Sequence, residues 1–225
     1  MDNRRIVNGS SNNNFNKLVF YYGPMESGKT RDIIKLLHSK KEDGFYPVLM
    51  KPLKDSKADN YISSRDGGSA KVDILISDDM DIYMAIANYI RDNIISCIVV
   101  DEAQFLNRNQ VIQLASIVDI LGIDVYCYGL LTDFQNNMFE GSKTLMEWAD
   151  DKIEIERTCS CGRKRIFNIR IDDDGNRIME GQQVSIDGEE NGVTYFSFCR
   201  QCTSILNRET NAKKIKIVKK KSLKP

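Results

Sequence analysis

One stretch near the N-terminus has the residue types and spacing of a phosphate-binding loop. Residues 23–30 fit the pattern G-x-x-x-x-G-K-[ST]. Glycines let successive backbone N–H groups turn toward an anion, Lys29 offers a positive charge to the outer phosphates, and the Thr30 hydroxyl can bind Mg²⁺. The pattern predicts triphosphate binding by a run of eight consecutive residues: Gly23, Pro24, Met25, Glu26, Ser27, Gly28, Lys29 and Thr30.

Two adjacent carboxylates, Asp101 and Glu102, follow the apolar run Ile94–Val100. An aspartate at the end of a buried strand is typical of the group that organises Mg²⁺ beside a phosphate loop, so Asp101 joins Thr30 as a candidate Mg²⁺ ligand. We expect Glu102 to point to the opposite side of the pleat, near the carboxyl end of the sheet, where it can accept a proton from a hydroxyl. The alternative is that both acids only solvate a loop.

Four cysteines form two close pairs in the last third of the chain: Cys159 with Cys161, and Cys199 with Cys202. Four thiolates at such spacing can converge on one tetrahedral Zn²⁺. Because they leave no open coordination position, the metal would be structural. Core cysteines or a redox pair are the alternatives.

The other two cysteines and the single histidine carry no such pattern. Cys97 and Cys127 lie in apolar runs and are expected to be packing residues. His38 comes late in the segment after the phosphate loop, and we expect it at the surface.

Apolar runs alternate with segments of helical periodicity through the first two thirds of the chain. An apolar run, Leu18–Tyr22, enters the phosphate loop, and a helix is predicted over about Thr30–Lys41. Such alternation favours an α/β class with a parallel sheet and helices on both faces. Residues 51–70 are predicted to form a long loop, and Ser77-Asp-Asp is predicted to cap the next helix.

Composition changes divide the sequence into four predicted segments. Residues 1–16 are rich in Asn and Ser and are predicted to be a disordered leader, 17–156 the α/β core, 157–207 a small β-rich module, and 208–225 a disordered basic tail. The formal net charge is zero, so bulk charge favours no partner. The sequence has no membrane-length apolar run and no export signal, which favours reduced thiols and a cytoplasmic protein.

Five motifs in a fixed order resemble the type II thymidine kinases. They are Gly-Pro-Met-x-Ser-Gly-Lys-Thr, Val-Asp-Glu-Ala-Gln-Phe, Tyr-Gly-Leu-x-Thr-Asp-Phe-Gln with Phe-Glu-Gly-Ser, Cys-x-Cys-Gly-Arg-Lys and Tyr-x-x-x-Cys-Arg-x-Cys. The resemblance covers roughly Leu18 to Leu206. It implies a P-loop NTPase-like core with a zinc-bearing lasso domain, and transfer of the ATP γ-phosphoryl to the 5′-hydroxyl of thymidine or deoxyuridine for DNA synthesis. It also implies a homotetramer inhibited by dTTP, with no membrane partner and no specific nucleic acid partner.

The resemblance assigns roles to individual positions. Glu102 would be the base on the 5′-hydroxyl, and further nucleotide contacts would come from Asp55, Ser56, Lys57, Asp101, Ala103 and Gln104. Aromatic residues around the pyrimidine would be Phe105, Phe134 and Phe139, and Tyr195 would close over the sugar and base. Backbone groups of the lasso would contact the base, here at Gln183, Val184, Ser185, Ile186 and Asp187.

Several positions depart from the family pattern. Glu26 is acidic where relatives are apolar or neutral, and it either faces the phosphates at an electrostatic cost or points outward. Leu131 replaces Arg or Asp, and Lys57 replaces Arg and loses a bidentate fork. The turn at Ile186 is altered and the stretch to Tyr195 is longer, which predicts a reshaped lasso.

These departures leave three alternatives to a thymidine kinase. The first is a nucleoside kinase with altered base preference. The second is a weakened regulatory binder of thymidine nucleotides. The third is an ATPase with a zinc ribbon acting on nucleic acid, which the neutral charge of the chain disfavours.

Overall fold

The computed structural model describes residues 15–54, 60–173, 176–179, 181 and 193–208. The chain divides into two compact units. Unit 1 contains the described residues up to Tyr22, Gly28–Gly129 and Glu140–Ile153. Unit 2 contains Gly23–Ser27, Leu130–Phe139 and the described residues from Glu154 onward.

The main sheet is built from the apolar runs of the sequence. Eight strands precede the cysteine pairs in the described chain: β1 (Leu18–Tyr22), β2 (Pro47–Pro52), β3 (Tyr61–Ser63), β4 (Ser69–Lys71), β5 (Ile74–Ile76), β6 (Cys97–Val100), β7 (Asp124–Gly129) and β8 (Asp151–Glu154). Six of them form one sheet in the order β5-β2-β6-β7-β1-β8. The pairings from β5 to β1 are all parallel, so the predicted α/β fold with a parallel sheet is confirmed.

The centre of this sheet is fully desolvated. Every residue of β2 and β6 is buried, as expected for strands covered on both faces. Cys97 and Cys127 lie in this core, so their predicted role as packing residues is confirmed. The predicted strand Ile94–Val100 is shorter in the structure, because Ile94 is 70% exposed and pairing begins at Cys97.

Four helices follow strands in unit 1: α1 (Lys29–Glu42), α2 (Ile82–Asp92), α3 (Arg108–Ser116) and α4 (Glu140–Trp148). The predicted cap of α2 was wrong in position. Asp81 accepts a hydrogen bond from the Met84 amide at 2.9 Å, whereas the Ser77 hydroxyl bonds to Asp79. No helix in the described ranges is long and apolar enough to cross a membrane.

The predicted long loop between β2 and β5 is partly structured. Strands β3 and β4 form an antiparallel hairpin with Tyr61 opposite Lys71. Arg31 of α1 forms an exposed ion pair with Asp66 in the hairpin turn at 3.5 Å. Periodicity does not predict this hairpin, because strands of three residues are too short to show an alternating pattern.

Unit 2 has an antiparallel sheet of three strands, β10-β9-β11. The strands are β9 (Phe167–Ile171), β10 (Arg177–Ile178) and β11 (Thr194–Phe198), and α5 (Arg200–Arg208) follows them. Its core joins Ile169, Ile171 and Phe198 to two of the cysteines. The β-rich character was predicted, but α5 was not. The tail was predicted to begin where α5 in fact ends.

Candidate active site and cysteine cluster

Parallel pairing brings a lysine and an aspartate together at the carboxyl end of the unit 1 sheet. Met50 of β2 pairs with Val100 of β6, so Lys51 and Asp101 follow at the same level. The Asp101 amide donates to the Met50 carbonyl at 3.0 Å. Both side chains are buried, with Lys51 5% and Asp101 3% exposed.

The electrostatics of Asp101 reflect this confinement. Burial and the neighbouring Glu102 charge raise its pKa to about 7, while the Glu102 amide, Lys29 and Lys51 act in the opposite direction. The Asp101 carboxylate accepts the Glu102 amide at 2.9 Å. A buried carboxylate whose negative charge is disfavoured gains strongly from a divalent cation, and oxygen ligands are what Mg²⁺ prefers.

Lys29 lies within the electrostatic reach of both acids. It is the first residue of α1 and is 7% exposed. Burial lowers its pKa, and the charges of Glu102 and Asp101 oppose that shift. Gly28 caps the helix with a φ of 96° and offers no side chain to the amides of the first turn. The α1 N-terminus, including Thr30, therefore has amides oriented as in an anion site.

Glu102 lies in a turn after β6. Its predicted position rested on the alternation of side chains along a strand, which does not apply to a residue outside the strand. The residue follows the end of β6 and has a left-handed φ of 50°, a conformation that is uncommon outside glycine and marks functional sites. Gln104 donates from Nε2 to the Glu102 carboxylate at 2.5 Å. The side chain is half-buried, so its carboxylate remains accessible to a ligand.

A short 3₁₀ turn, Ala103–Phe105, carries the rest of this motif. Ala103 and Gln104 are buried and Phe105 is half-buried. Gly129 at the end of β7 is required here, because a Cβ on it would lie 2.7 Å from the Gln104 side-chain oxygen. The contact that orients Glu102 therefore depends on a glycine one strand away.

The first five residues of the phosphate loop belong to unit 2. A Cβ on Gly23 would lie 2.5 Å from the Ile155 carbonyl and 2.8 Å from the Ser27 hydroxyl. The Ser27 amide donates to the Pro24 carbonyl at 3.3 Å. The Ser27 hydroxyl is buried with no hydrogen-bond partner among the described residues, a state that is rare unless a ligand or water completes it.

The acidic residue of the phosphate loop, Glu26, has a cationic partner. Its carboxylate lies 3.4 Å from the guanidinium of Arg165, which is also in unit 2. Its backbone φ is 63°, again left-handed. The acidic side chain is thus paired with a cation, and its charge is compensated.

Aromatic residues of unit 2 surround a buried arginine that sequence reasoning missed. The Arg170 guanidinium lies 4.7 Å from the Phe134 ring centroid and 5.5 Å from that of Tyr195. Arg170 is 2% exposed, and Arg177 donates to the Phe134 carbonyl at 3.2 Å. The sequence pattern that could have predicted a buried arginine is a charged residue between two isoleucines, Ile169 and Ile171, in an apolar strand.

Asp133 organises the loop that carries two of the predicted aromatic residues. Its carboxylate accepts the Gln135 and Asn137 amides at 2.8 and 2.9 Å. Phe134 and Phe139 are 2% and 5% exposed. Eight of the predicted site residues lie outside the described residues, namely Asp55, Ser56, Lys57, Gln183, Val184, Ser185, Ile186 and Asp187.

The predicted convergence of the four cysteines is confirmed. The sulfurs of Cys159, Cys161, Cys199 and Cys202 all lie within 4.8 Å of one another, and those of Cys161 and Cys199 are 3.4 Å apart. The Cys202 amide points to the Cys199 sulfur at 3.4 Å. None of the four is in a disulfide.

The chemistry of this donor set fits Zn²⁺. Backbone and side-chain hydrogen bonds lower the pKa of Cys161 to about 6, which favours the thiolate that a metal binds. Cys159 and Cys199 belong to the core of unit 2, so an ion held here would tie both cysteine pairs to that core.

His38 is exposed and lies 3.2 Å from Glu42, so its predicted surface position is confirmed.

Comparison with known proteins agrees with these features. The model of the thymidine kinase family matches residues 16–203. The thymidine kinase of Vibrio vulnificus (strain YJ016) is 42% identical over 186 residues, covering 82% of this chain and 95% of the relative. That of Coxiella burnetii (strain RSA 493 / Nine Mile phase I) is 40% identical over 187 residues, covering 82% and 93%. The chain therefore belongs to the thymidine kinase family and is an ATP-dependent phosphotransferase with thymidine kinase activity.

Proposed function

We propose that the chain transfers the γ-phosphoryl group of ATP to the 5′-hydroxyl of thymidine, giving dTMP, with Glu102 as the general base. The observation that carries this assignment is the cluster at the carboxyl end of the unit 1 sheet, where Asp101, Lys29 and Lys51 are buried beside Glu102. Phosphoryl transfer depends mainly on positioning and on stabilising charge. This cluster supplies both, and Glu102 adds a proton acceptor.

The phosphate loop would bind the ATP triphosphate. In this proposal the loop Gly23–Thr30 binds the phosphates through backbone amides, among them those at the N-terminus of α1, Lys29 supplies a positive charge, and Asp55, Ser56 and Lys57 border the phosphates. The buried Ser27 hydroxyl supports the assignment, since a phosphate oxygen would give it a partner. Lys51 is an addition to the predicted set, and its positive charge helps Asp101 to stay ionised.

Thr30 and Asp101 would hold Mg²⁺. The buried carboxylate of Asp101 supports this, because its ionised form needs more positive charge than its surroundings supply. The bound ion would neutralise charge that develops on the phosphate oxygens.

The nucleoside would be held by aromatic surfaces and by backbone groups of the lasso. The proposed contacts are Phe105, Phe134, Phe139, Gln183, Val184, Ser185, Ile186, Asp187 and Tyr195. Aromatic walls provide stacking area, while base specificity comes from hydrogen bonds.

The four cysteines would bind one structural Zn²⁺. Their geometry and the lowered pKa of Cys161 support this assignment. On the family resemblance we further propose a cytoplasmic homotetramer that serves nucleotide salvage for DNA synthesis and is inhibited by dTTP. Light scattering and dTTP titration of the purified chain test these two properties.

A panel of nucleosides at fixed ATP tests the substrate assignment. We expect thymidine and deoxyuridine to be phosphorylated far more efficiently than any purine nucleoside. A purine preference would contradict the proposal and favour the kinase of altered base preference. Mg²⁺ omitted by chelation should abolish turnover in the same assay.

A further inference from the structure

The backbone of Met25, in the phosphate loop, forms hydrogen bonds with two side chains of the unit 2 sheet. The Met25 amide donates to the Asn168 side-chain oxygen at 2.8 Å. The Ser197 hydroxyl donates to the Met25 carbonyl at 3.0 Å. Asn168 of β9 and Ser197 of β11 are direct cross-strand partners, so one pair of side chains bonds both backbone polar groups of a single loop residue.

Asn168 and Ser197 are themselves fixed by further hydrogen bonds. Asn168 donates from Nδ2 to the Thr132 carbonyl at 3.0 Å, and the Ser197 hydroxyl also accepts from Arg165 at 3.2 Å. Asn168 and Ser197 are 3% and 2% exposed. Polar side chains so deeply buried are retained at a cost, which their fixed contacts with Met25 offset.

Arg165 contacts the next residue of the loop, Glu26. Its guanidinium lies 3.4 Å from the Glu26 carboxylate, and its Nε donates to the Thr158 carbonyl at 3.0 Å. The side chains of Arg165 and Glu26 are only 16% and 26% exposed, so solvent screens this pair less than a surface ion pair. The residue that would otherwise bring negative charge to a phosphate site is thereby neutralised.

We propose that Arg165, Asn168 and Ser197 are positioning residues for ATP, acting through Met25 and Glu26 of the phosphate loop. The inference rests on the proposed role of this loop. Asn168 and Ser197 fix the backbone of Met25, and Arg165 holds the Glu26 carboxylate and compensates its charge. Without Arg165, the Glu26 carboxylate loses this compensation and repels the triphosphate.

The test is a double-mutant cycle on the charge pair. Arg165→Gln should raise the KM for ATP about tenfold, the size expected when one partner of a partly buried ion pair is removed, and leave the KM for thymidine within about twofold. Adding Glu26→Gln to Arg165→Gln should restore most of the ATP affinity, because the repelling charge is gone. A purely structural role of Arg165 predicts no such rescue.

Lys164→Gln is the matched control, since it removes one positive charge at the adjacent position, where Lys164 pairs with Glu154 and Glu156. It should leave both KM values unchanged. Ser197→Ala is a second variant that keeps all charges and removes only the bond to Met25; it should raise the KM for ATP selectively. Zinc content of each variant shows whether the cysteine module is folded.

Lys29→Ala, assayed for ATP binding by calorimetry, separates this inference from the assignment of the loop. If Lys29→Ala loses ATP binding while zinc-replete Arg165→Gln and Ser197→Ala keep it, the positioning role is overturned and the loop assignment stands. If Lys29→Ala binds ATP normally, the loop assignment fails and the inference with it. Equal increases in KM for both substrates, or no rescue by Glu26→Gln, also overturn the inference.

Discussion

At the scale of single residues, the orientation of Glu102 is set by its backbone and by one neighbour. Its φ of 50° takes it out of the strand direction, and the Gln104 amide fixes its carboxylate. In its proposed role as the base, a carboxylate held in this way would lose little entropy when a substrate hydroxyl arrives. The same orientation would be lost if either the turn or Gln104 moved.

Glu102→Gln should lower kcat by about 10²–10⁴-fold, because the amide keeps the shape but cannot accept the proton. The KM for ATP should change little. Steady-state kinetics measure both, and Glu147→Gln, at an exposed residue paired with Arg108, is the matched control. Retained turnover in Glu102→Gln would exclude it as the base.

Asp101→Asn should have opposite effects on stability and activity. The asparagine oxygen can still accept the Glu102 amide, while the buried negative charge beside Glu102 is removed. We expect the midpoint of thermal unfolding without ligands at pH 7.5 to stay or to rise by a few degrees, about what 1 kcal/mol gives. Mg²⁺-dependent turnover should be lost, and a lower unfolding midpoint would contradict the electrostatic account.

At the scale of elements, the end of β7 sets the position of the catalytic turn. Gly129 pairs with Tyr22 of β1 and leaves room for the Gln104 side chain. The central strands thus do more than form a core. Their spacing determines whether the turn after β6 can hold Glu102.

Gly129→Ala should lower kcat about 10–100-fold, through displacement of the Gln104 group that orients Glu102. Gly68→Ala is the control, because a Cβ there would meet its nearest atoms at an ordinary 3.5 Å. Kinetics and circular dichroism distinguish a displaced turn from unfolding. Unchanged kcat in a folded Gly129→Ala protein would show that Gln104 does not orient the base.

At the scale of the whole molecule, the cysteine cluster lies in the unit that carries part of the phosphate loop. Cys159 and Cys199 are core residues of unit 2, and Gly23–Ser27 belong to the same unit. A metal bound by these thiolates would contribute directly to the folding of this unit.

Cys199→Ser should remove one zinc per chain and lower the unfolding midpoint, because a structural tetrathiolate site contributes folding free energy. Elemental analysis and thermal unfolding measure these effects. Cys127→Ser, at a cysteine in the core of unit 1, is the control and should keep its zinc. Freshly purified protein without zinc would contradict the assignment.

Features that depend on local chemistry are predictable from the order of residues alone. Glycine and lysine spacing predicted the phosphate loop, the apolar run before Asp101 predicted a buried strand, and the cysteine pairs predicted the cluster. These signals are local because backbone freedom, strand burial and ligand spacing act over a few residues.

The distant residues that complete these motifs are brought to them by strand register and by packing between remote segments. Lys51 meets Asp101 through strand register, and Arg165 meets Glu26 across 139 positions of sequence. Periodicity carries no information about register or about pairing between remote segments, because both depend on how strands pack together. The acidic residue that looked out of place in the phosphate loop is compensated by a partner that sequence alone did not identify.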